Sequence, residues 1–168
     1  VGIGHGIYLS KDSGSTWDDM GLNKSEHISK IIVHPDNSNI IWVASQGPLW
    51  NSGGDRGLFM STDGGNTWSN KLYVNEWTGV TDIIIDPTNP DILYAATWQR
   101  HRNVASLIDG GPGTSIYKSI DGGNTWNEID SGLPSSNMGK IGLAISPMKP
   151  EVIYAAIELD RRSGAVFR

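Results

Sequence analysis

Short runs of β-branched and aromatic residues recur along the chain and predict an all-β protein. Two kinds of run occur three times each. The first ends in proline, and the second follows it after a few turn-forming residues. The copies read ISKIIVHP, VTDIIIDP and KIGLAISP, followed by IIWVA, ILYAA and VIYAA. Such runs, bounded by Gly, Pro and Asn, are typical of strands, and no helical periodicity competes with them.

A third short run precedes an eight-residue turn motif, Ser-x-Asp-x-Gly-x-Thr-Trp, in three units. The motif occupies residues 10–17, 61–68 and 119–126. A polar segment after each tryptophan is a fourth candidate strand. Each full unit therefore predicts four antiparallel strands, named A to D here, with the turn motif between C and D. Units of this kind and length are typical of the blades of a β-propeller.

The repeat register predicts one propeller segment over residues 1–168, with about three blades' worth of strands. Its units are approximately 1–20 (partial), 28–72, 80–130 and 140–168 (partial). Closed propellers usually need four to eight blades. We therefore expect a fragment of a larger propeller, with several copies completing one ring as the alternative. Exposed blade edges tend to pair with other chains, which predicts self-association.

The residue types of the turn motif predict a scaffold role. The Asp carboxylate can accept N–H bonds within its own turn, Gly supplies a positive φ, and Trp is an apolar plug between blades. Three equivalent carboxylates on different blades cannot converge on one substrate, which argues against catalysis. The residues predicted to be structural are Asp12, Gly14, Trp17, Asp63, Gly65, Trp68, Asp121, Gly123 and Trp126.

Strand direction alternates, so the A–B loops and the turn motifs share one face, and the B–C and D–A loops share the other. The second face carries the irregular loops, among them residues 97–114, and irregular loops on a rigid frame commonly hold binding sites. Aromatic residues beside charges suit a carbohydrate or peptide cleft. The alternative is surface ion pairs, with tryptophans that only pack the loops. The candidates are Trp50, Asp55, Arg56, Trp77, Trp98, Arg100, His101, Arg102, Asp109, Glu158, Asp160 and Arg161.

The composition and the charge argue against several kinds of partner and site. The net charge is −5 with mixed signs and no basic stripe, which argues against nucleic acid as a partner. No apolar run approaches the roughly 18 residues of a membrane span. Cysteine is absent, which excludes disulfides, thiolate metal sites and thiol nucleophiles. The four histidines have no ligand spacing, so we predict no metal and no cofactor.

These motifs resemble the Asp-box, or bacterial neuraminidase, repeat over essentially the whole chain. The forms STDGGNTW and DPTNPDILYAA are most similar to sortilin-type propellers of large exported bacterial proteins, and DRGLF and LIDGGP are similar to loops of that group. Sialidase-like and xyloglucan-cleaving glycoside hydrolases and photosystem assembly-factor propellers share this style of repeat. The resemblance implies an extracellular or periplasmic parent protein with a larger propeller.

The resemblance implies few catalytic residues in this chain. Sialidases have a Phe-Arg-Ile-Pro segment and a Tyr–Glu pair, neither of which is identifiable here. Glycoside hydrolysis needs two carboxyls about 5–5.5 or 6.5–9.5 Å apart, and only loop position suggests Asp55 and Asp109. We predict no catalytic residue and favour a non-catalytic scaffold or binding segment for a peptide or glycan. The alternatives are a glycoside hydrolase fragment and an assembly chaperone with a partner along residues 100–102.

Overall fold

The computed structural model describes residues 3–159 and 165–167, and its regular elements in these ranges are all β-strands, as the apolar pattern predicts. In chain order the strands are β1 (Tyr8–Leu9), β2 (Asp18–Asp19), β3 (Ile28–His34), β4 (Asn37–Ser45), β5 (Gly57–Ser61), β6 (Ser69–Leu72), β7 (Thr78–Ile85), β8 (Leu93–Arg102), β9 (Leu107–Asp109), β10 (Ile116–Ser119), β11 (Asn127–Glu128), β12 (Ile141–Ile145), β13 (Ile153–Ile157) and β14 (Ala165–Phe167).

The strands form one antiparallel sheet for each repeat unit, numbered units 1 to 4 from the N-terminus. Unit 2 is a four-stranded sheet in the order β3-β4-β5-β6. Unit 3 has the order β7-β8-β10-β11, with β9 added beside β8. Units 1 and 4 contain β1-β2 and β12-β13-β14. The predicted fold class, an all-β partial propeller of antiparallel blades, is confirmed, whereas its place in a larger propeller stays a prediction.

The turn motif closes on itself through its aspartate. In the second copy, Asp63 Oδ1 accepts hydrogen bonds from Ser61 Oγ at 2.8 Å and Thr67 N at 2.9 Å, and Oδ2 accepts one from Thr67 Oγ1 at 2.7 Å. Ser61 Oγ accepts a bond from Gly65 N at 2.8 Å. The first and third copies repeat these bonds. All partners lie within four residues, so each turn is a local structure.

Two successive residues of each turn adopt the left-handed backbone region. Gly64 and Gly65 have φ of +74° and +91°. The first copy has Ser13 with φ +59° in the earlier of these positions, followed by Gly14 with φ +91°. Residues with a Cβ rarely adopt such angles. This requirement explains why the later position is glycine in all three copies.

The motif tryptophans point toward the preceding unit where one is present. Trp68 Nε1 donates to Met20 O of unit 1 at 2.7 Å. Trp126 packs against the apolar cluster that contains Trp42 of unit 2. Trp17 is 61% exposed, and its Nε1 bonds only within its own turn, to Gly14 O at 3.2 Å. The tryptophans of units 2 and 3 therefore act between sheets.

The hydrophobic core lies between successive sheets. Each of its three clusters draws residues from two adjacent units, and burial of a large apolar side chain stabilises the fold by about 1.5–3 kcal/mol. One cluster joins Trp42 and Leu58 of unit 2 to Ile83 of unit 3. The others join units 3 and 4 and units 1 and 2. The units are thus held together by the faces of their sheets.

Hydroxyl groups at β-bulges add polar bonds between the first strands of successive units. Ser29 Oγ donates to Val80 O at 3.1 Å, and Thr81 Oγ1 donates to Ile141 O at 2.9 Å. Both residues lie at a register shift in the pairing of strands A and B. A bulge leaves one residue outside the ladder, and here that residue bonds to the next unit.

Asp82 links three units. Its Oδ1 accepts a bond from Lys30 Nζ of unit 2 at 2.8 Å, and its Oδ2 accepts one from Leu143 N of unit 4 at 2.8 Å. The Asp82 side chain is mostly buried, whereas that of Lys30 is more than a third exposed. The carboxylate therefore satisfies a backbone donor in addition to forming an ion pair.

Acid weakens the turn motifs. Hydrogen bonds from the motif threonine, through its side chain and then its backbone, lower the pKa of Asp12, Asp63 and Asp121 to about 2. The unfolded value is about 3.9, so these groups stabilise the fold above about pH 4, and this stabilisation is lost as the pH falls toward 2. We expect the melting temperature of the wild type to fall across this range, and that of the double variant D63N/D121N to fall less. Circular dichroism melts measure both, with D130N, an exposed aspartate outside the motifs, as the control. Equal slopes for all three proteins would contradict this prediction.

Loss of the Asp82 carboxylate destabilises the contact between units. D82A leaves the Leu143 N–H without its acceptor, and a buried unsatisfied donor costs about 1–3 kcal/mol. D82N keeps an amide oxygen that can accept this bond, so we expect a smaller loss. Urea unfolding measures both. The matched control is D18A, which breaks the exposed pair of Asp18 with Lys11 and should cost under about 1 kcal/mol. A loss for D82A no larger than for D18A would refute the linking role.

Candidate functional site

The loops divide between two faces, as strand alternation predicts. A turn motif meets an A–B loop where Gly64 N donates to Asn39 O at 3.0 Å. At the opposite end of the sheets, a B–C loop meets a D–A loop where Gly53 N donates to Glu76 O at 2.8 Å. This second surface, named the loop face, consists of residues 21–27, 46–56, 73–77, 97–115 and 130–140.

The longest segment predicted as a loop, residues 97–114, contains a hairpin. Strand β8 continues to Arg102, and β9 returns along it with Arg100 paired to Asp109. Bonds to neighbouring loops hold this extension, because Arg100 N donates to Trp77 O at 3.1 Å and Arg102 N donates to Leu49 O at 3.0 Å. The expectation of an irregular loop was wrong here, since partners distant in sequence pair the backbone.

Two aromatic groups on the loop face pair with nitrogen-containing side chains. The rings of Trp77 and His101 stack with centroids 4.1 Å apart and an interplanar angle of 3°. The Arg102 guanidinium lies 5.4 Å from the centroid of Trp50, whose side chain is 51% exposed. An exposed indole beside a cation offers a flat apolar surface with donors at its edge.

Arg56 lies inside its loop. It is 1% exposed, and its guanidinium donates to Gln46 O at 2.7 Å, to Trp77 O and Asn51 O at 3.2 Å, and to Pro48 O. Burial lowers the pKa of Arg56 to about 10, so the group remains charged at neutral pH. Because backbone carbonyls occupy its donors, Arg56 stabilises the loop and is not positioned to contact a ligand.

Trp98 and Arg100 bring buried donors to the loop face. Trp98 Nε1 and Arg100 Nε have no acceptor among the residues that the structure describes. The guanidinium of Arg100 lies 5.0 Å from the Trp98 ring centroid, and Lys140 Nζ lies 5.9 Å from it. Burial lowers the pKa of Arg100, and the nearby Asp109 opposes this shift. A buried donor without an acceptor destabilises the fold. We therefore expect these two N–H groups to bond to the oxygen of a water or a ligand.

Three cavities meet at Glu26, a D–A loop residue outside the predicted set, and the largest of them lies mostly between β1 and β3. Their volumes are about 510, 410 and 150 Å³, and Glu26 lines all three. Trp50 and Arg102 line the smallest, which adjoins the largest through His27. Ser25 Oγ, buried without a partner among the described residues, also lines the largest. The signal available in the sequence was the adjacent polar residues Glu26 and His27, in the same type of loop as Glu76-Trp77.

The local structure at Glu26 and His27 supports a site. Glu26 has φ +53°, a left-handed conformation that costs about 1–3 kcal/mol for a residue other than glycine and clusters at functional sites. His27 Nδ1 lies 3.2 Å from Gly47 O. Since a carbonyl oxygen can only accept, Nδ1 carries the proton and Nε2 of the neutral ring is left as an acceptor.

Of the remaining candidates, two bond to loop residues and two lie outside the residues that the structure describes. Asp55 Oδ2 accepts a bond from Lys24 N at 2.8 Å, which ties two loops together. Glu158 pairs through its backbone with Lys140 at 3.0 Å. Asp160 and Arg161 lie outside the described residues.

None of the carboxyl groups with a shifted pKa has the raised pKa that the general acid of a glycosidase needs. Hydrogen bonds lower the pKa of Asp12, Asp63 and Asp121. The pKa of Asp86 is also lowered, although desolvation, its largest single influence, acts in the opposite direction. All four lie on the face of the turn motifs. A general acid needs a raised pKa, so none of these four residues suits that role.

Two further features concern residues 3–159 and 165–167, the part of the chain that the structure describes. Within them, no group of three or more His, Asp or Glu side chains is arranged to hold a metal ion. No helix there is long and apolar enough to cross a membrane.

Solved structures of GH74 enzymes have a similar fold. The GH74 xyloglucanase from Xanthomonas campestris superposes with a TM-score of 0.68 at 16% identity, covering 98% of this chain and 25% of that one. The Niastella koreensis GH74 enzyme gives 0.66 at 18% identity, covering 91% and 22%. An ancestral GH74 enzyme gives 0.65 at 20% identity, covering 90% and 19%. Identities this low establish the fold alone.

Curated relatives are similar in sequence over part of their length. A probable oligoxyloglucan-reducing end-specific xyloglucanase from Neosartorya fischeri is 25% identical over 138 residues, which cover 73% of this chain and 14% of the relative. The oligoxyloglucan-reducing end-specific xyloglucanase from Emericella nidulans is 24% identical over 138 residues, with the same coverage. The chain thus spans 14% of the length of these relatives.

The sequence profile of the Sortilin-Vps10 family, described as sortilin, neurotensin receptor 3, matches residues 5–135. The match covers well over half of the chain and includes all three turn motifs. It confirms the resemblance to sortilin-type Asp-box propellers that the motifs indicate. The chain belongs to the Sortilin-Vps10 family.

Proposed function

We propose that this chain is a non-catalytic segment of a larger Asp-box propeller and that its loop face binds a glycan. The exposed indole of Trp50 carries the proposal, since it lies beside Arg102 and lines a cavity that Glu26 also lines. The curated relatives are named as xyloglucanases, which supports a plant-type glucan as the first ligand to test.

The chemistry of this surface suits a sugar. A pyranose ring has an apolar face, which can stack on an indole, and hydroxyls at its edge, which both donate and accept. Glu26 supplies an acceptor, Arg102 supplies donors, and His27 Nε2 supplies a further acceptor. Of the two cavities lined largely by loop-face residues, about 410 and 150 Å³, the larger has the size of a small-molecule site. A peptide is the second candidate ligand, because Glu26 and His27 Nε2 could accept bonds from amide N–H groups and Arg102 could donate to a carboxylate.

The absence of catalysis is part of the proposal. Asp55 is engaged with the backbone of Lys24, and the four carboxyls with lowered pKa lie on the other face. A glycoside hydrolase fragment is the alternative, supported by the names of the relatives. Incubation of the chain with xyloglucan oligosaccharides distinguishes the two, because new reducing ends appear only if the chain hydrolyses them.

We also propose that the segment belongs to a larger protein located outside the cytoplasm. The chain covers 14% of its curated relatives and 19–25% of the matched GH74 structures, which supports a parent protein with a larger propeller. A glycan ligand of this class occurs outside the cell, which supports an extracellular or periplasmic parent protein.

Replacement of Trp50 tests the glycan site. We expect W50A to weaken the binding of xyloglucan oligosaccharides at least about tenfold, or about 1.4 kcal/mol, because the stacking surface is lost. Isothermal titration calorimetry measures the dissociation constants. The matched control is W17A, which removes an exposed tryptophan from the turn-motif face and should leave binding unchanged.

Two results would overturn the glycan proposal. One is that the wild type binds neither xyloglucan nor cello-oligosaccharides at any accessible concentration. The other is that W50A and W17A bind equally well. Binding of a peptide library at the same face, with W50A again the weaker protein, would replace the glycan by a peptide.

A further inference from the structure

The sequence Asp-Gly occurs three times in the chain, at residues 63–64, 109–110 and 121–122. At such a pair, the backbone nitrogen of the glycine can attack the side-chain carboxyl carbon of the aspartate and form a five-membered succinimide ring. Glycine presents the least obstructed nitrogen, because it has no Cβ. The surroundings of each pair in the fold therefore decide whether this reaction is hindered or permitted.

The turn motif holds the carboxylate of Asp63 in place. Both of its oxygens accept hydrogen bonds, from Ser61 Oγ at 2.8 Å, Thr67 N at 2.9 Å and Thr67 Oγ1 at 2.7 Å. Asp121 accepts the same three bonds. These bonds, that from the threonine hydroxyl above all, lower the pKa of both carboxyl groups to about 2. The carboxyl groups are thus kept ionised, which is the less reactive form, and cannot turn toward the next nitrogen until the bonds break.

The nitrogen that would attack is also held at these two pairs. Gly64 N donates to Asn39 O at 3.0 Å. Gly122 N donates to Asp91 O at 3.0 Å. Each acceptor lies at the A–B loop beside the motif, so a bond outside the motif fixes the peptide group of each glycine. Succinimide formation in a folded turn motif therefore requires the loss of bonds at both reacting groups.

The pair Asp109-Gly110 lies in a different setting. Asp109 ends β9, whose three residues are all exposed, and β9 pairs with β8 alone among the strands that the structure describes. Within residues 3–159 and 165–167, the Asp109 carboxylate accepts no hydrogen bond and forms no ion pair, although Arg100 is its partner in the strand register. Short exposed elements open locally at low free energy. The carboxyl group can thus rotate toward the next nitrogen without losing a bond of its own.

We propose that Asp109 is the site at which the folded chain forms isoaspartate. Gly110 N attacks Cγ of the protonated Asp109 carboxyl group, the new C–N bond closes the succinimide, and the carboxyl oxygen leaves as water with the proton of the nitrogen. A second water then opens the ring. Attack of this water on the main-chain carbonyl carbon gives isoaspartate, and attack on Cγ restores aspartate. One water leaves and one enters, so the step needs no other reactant.

The product differs from aspartate in the backbone and in the position of its charge. An isoaspartyl residue adds one methylene to the main chain and carries its free carboxylate on Cα. The pairing of Asp109 with Arg100 is then lost, because the spacing of β9 no longer matches that of β8. The modification therefore changes the hairpin on the loop face. An enzyme that methylates isoaspartyl carboxylates with S-adenosylmethionine is the class of partner that recognises this product.

Ageing of the folded chain at body temperature and mildly acidic pH tests the proposal. Trypsin releases the three pairs on separate peptides, residues 57–71, 103–118 and 119–140. Electron-transfer fragmentation distinguishes isoaspartate from aspartate, which has the same mass. We expect isoaspartate at Asp109 to form at least about tenfold faster than at Asp63 or Asp121, which corresponds to about 1.4 kcal/mol in the barrier. D109E keeps the charge but closes a less favourable six-membered ring, so its peptide should stay unmodified.

Two comparisons separate the effect of the fold from that of the sequence. In urea the turn motifs lose their bonds, and the three pairs should react at similar rates. T67V removes the hydroxyl that bonds to Asp63 Oδ2. It should accelerate the reaction at Asp63 and leave Asp121, which keeps its threonine, unchanged. Melting curves show that each variant is folded at the ageing temperature.

The proposal fails on any of three results. The first is that the three pairs of the folded chain form isoaspartate at equal rates. The second is that Asp109 forms none in the folded chain while the chain in urea forms it there. The third is that folded T67V reacts at Asp63 no faster than the wild type, which would remove the protective role of the turn motif.

Discussion

The packing of one sheet face on the next is the constraint on which this structure depends. A sheet with apolar side chains on both faces must be covered on both, because neither face can remain in water at low cost. Trp42 and Ile83 meet across one such interface and Tyr94 and Leu143 across another. Asp82 adds a polar link between units 2, 3 and 4 and satisfies a backbone donor within the interface.

The stacked sheets place the turn motifs at one end of the molecule and the candidate binding loops at the other. The turn motifs at one end bond almost entirely within themselves and so brace the hairpins. The opposite end combines loops from different units. Glu26 precedes unit 2, Trp50 lies within it, and Arg102 belongs to the hairpin of unit 3, yet all three line one cavity. The arrangement of that surface follows from the sheet-to-sheet contacts that set the angle between units.

The sequence predicts local features well and distant ones poorly, for a physical reason. The Asp63 turn could be predicted because its partners lie within four residues. Residues 99–102, the polar extension of β8, lack an apolar pattern, and carbonyls from other loops hold this extension in place. Arg56 looks like a surface residue by type, but converging carbonyl groups make its burial favourable.

By itself, the sequence determined the repeat unit, the all-β class, the two faces and the family, because these depend on residue patterns and on bonds between near neighbours. Only the tertiary structure decided that Arg56 is internal and that Glu26 lines one cavity with Trp50 and Arg102. Those features depend on contacts between residues far apart in the chain, and hydrophobic periodicity carries no information about which distant segments meet.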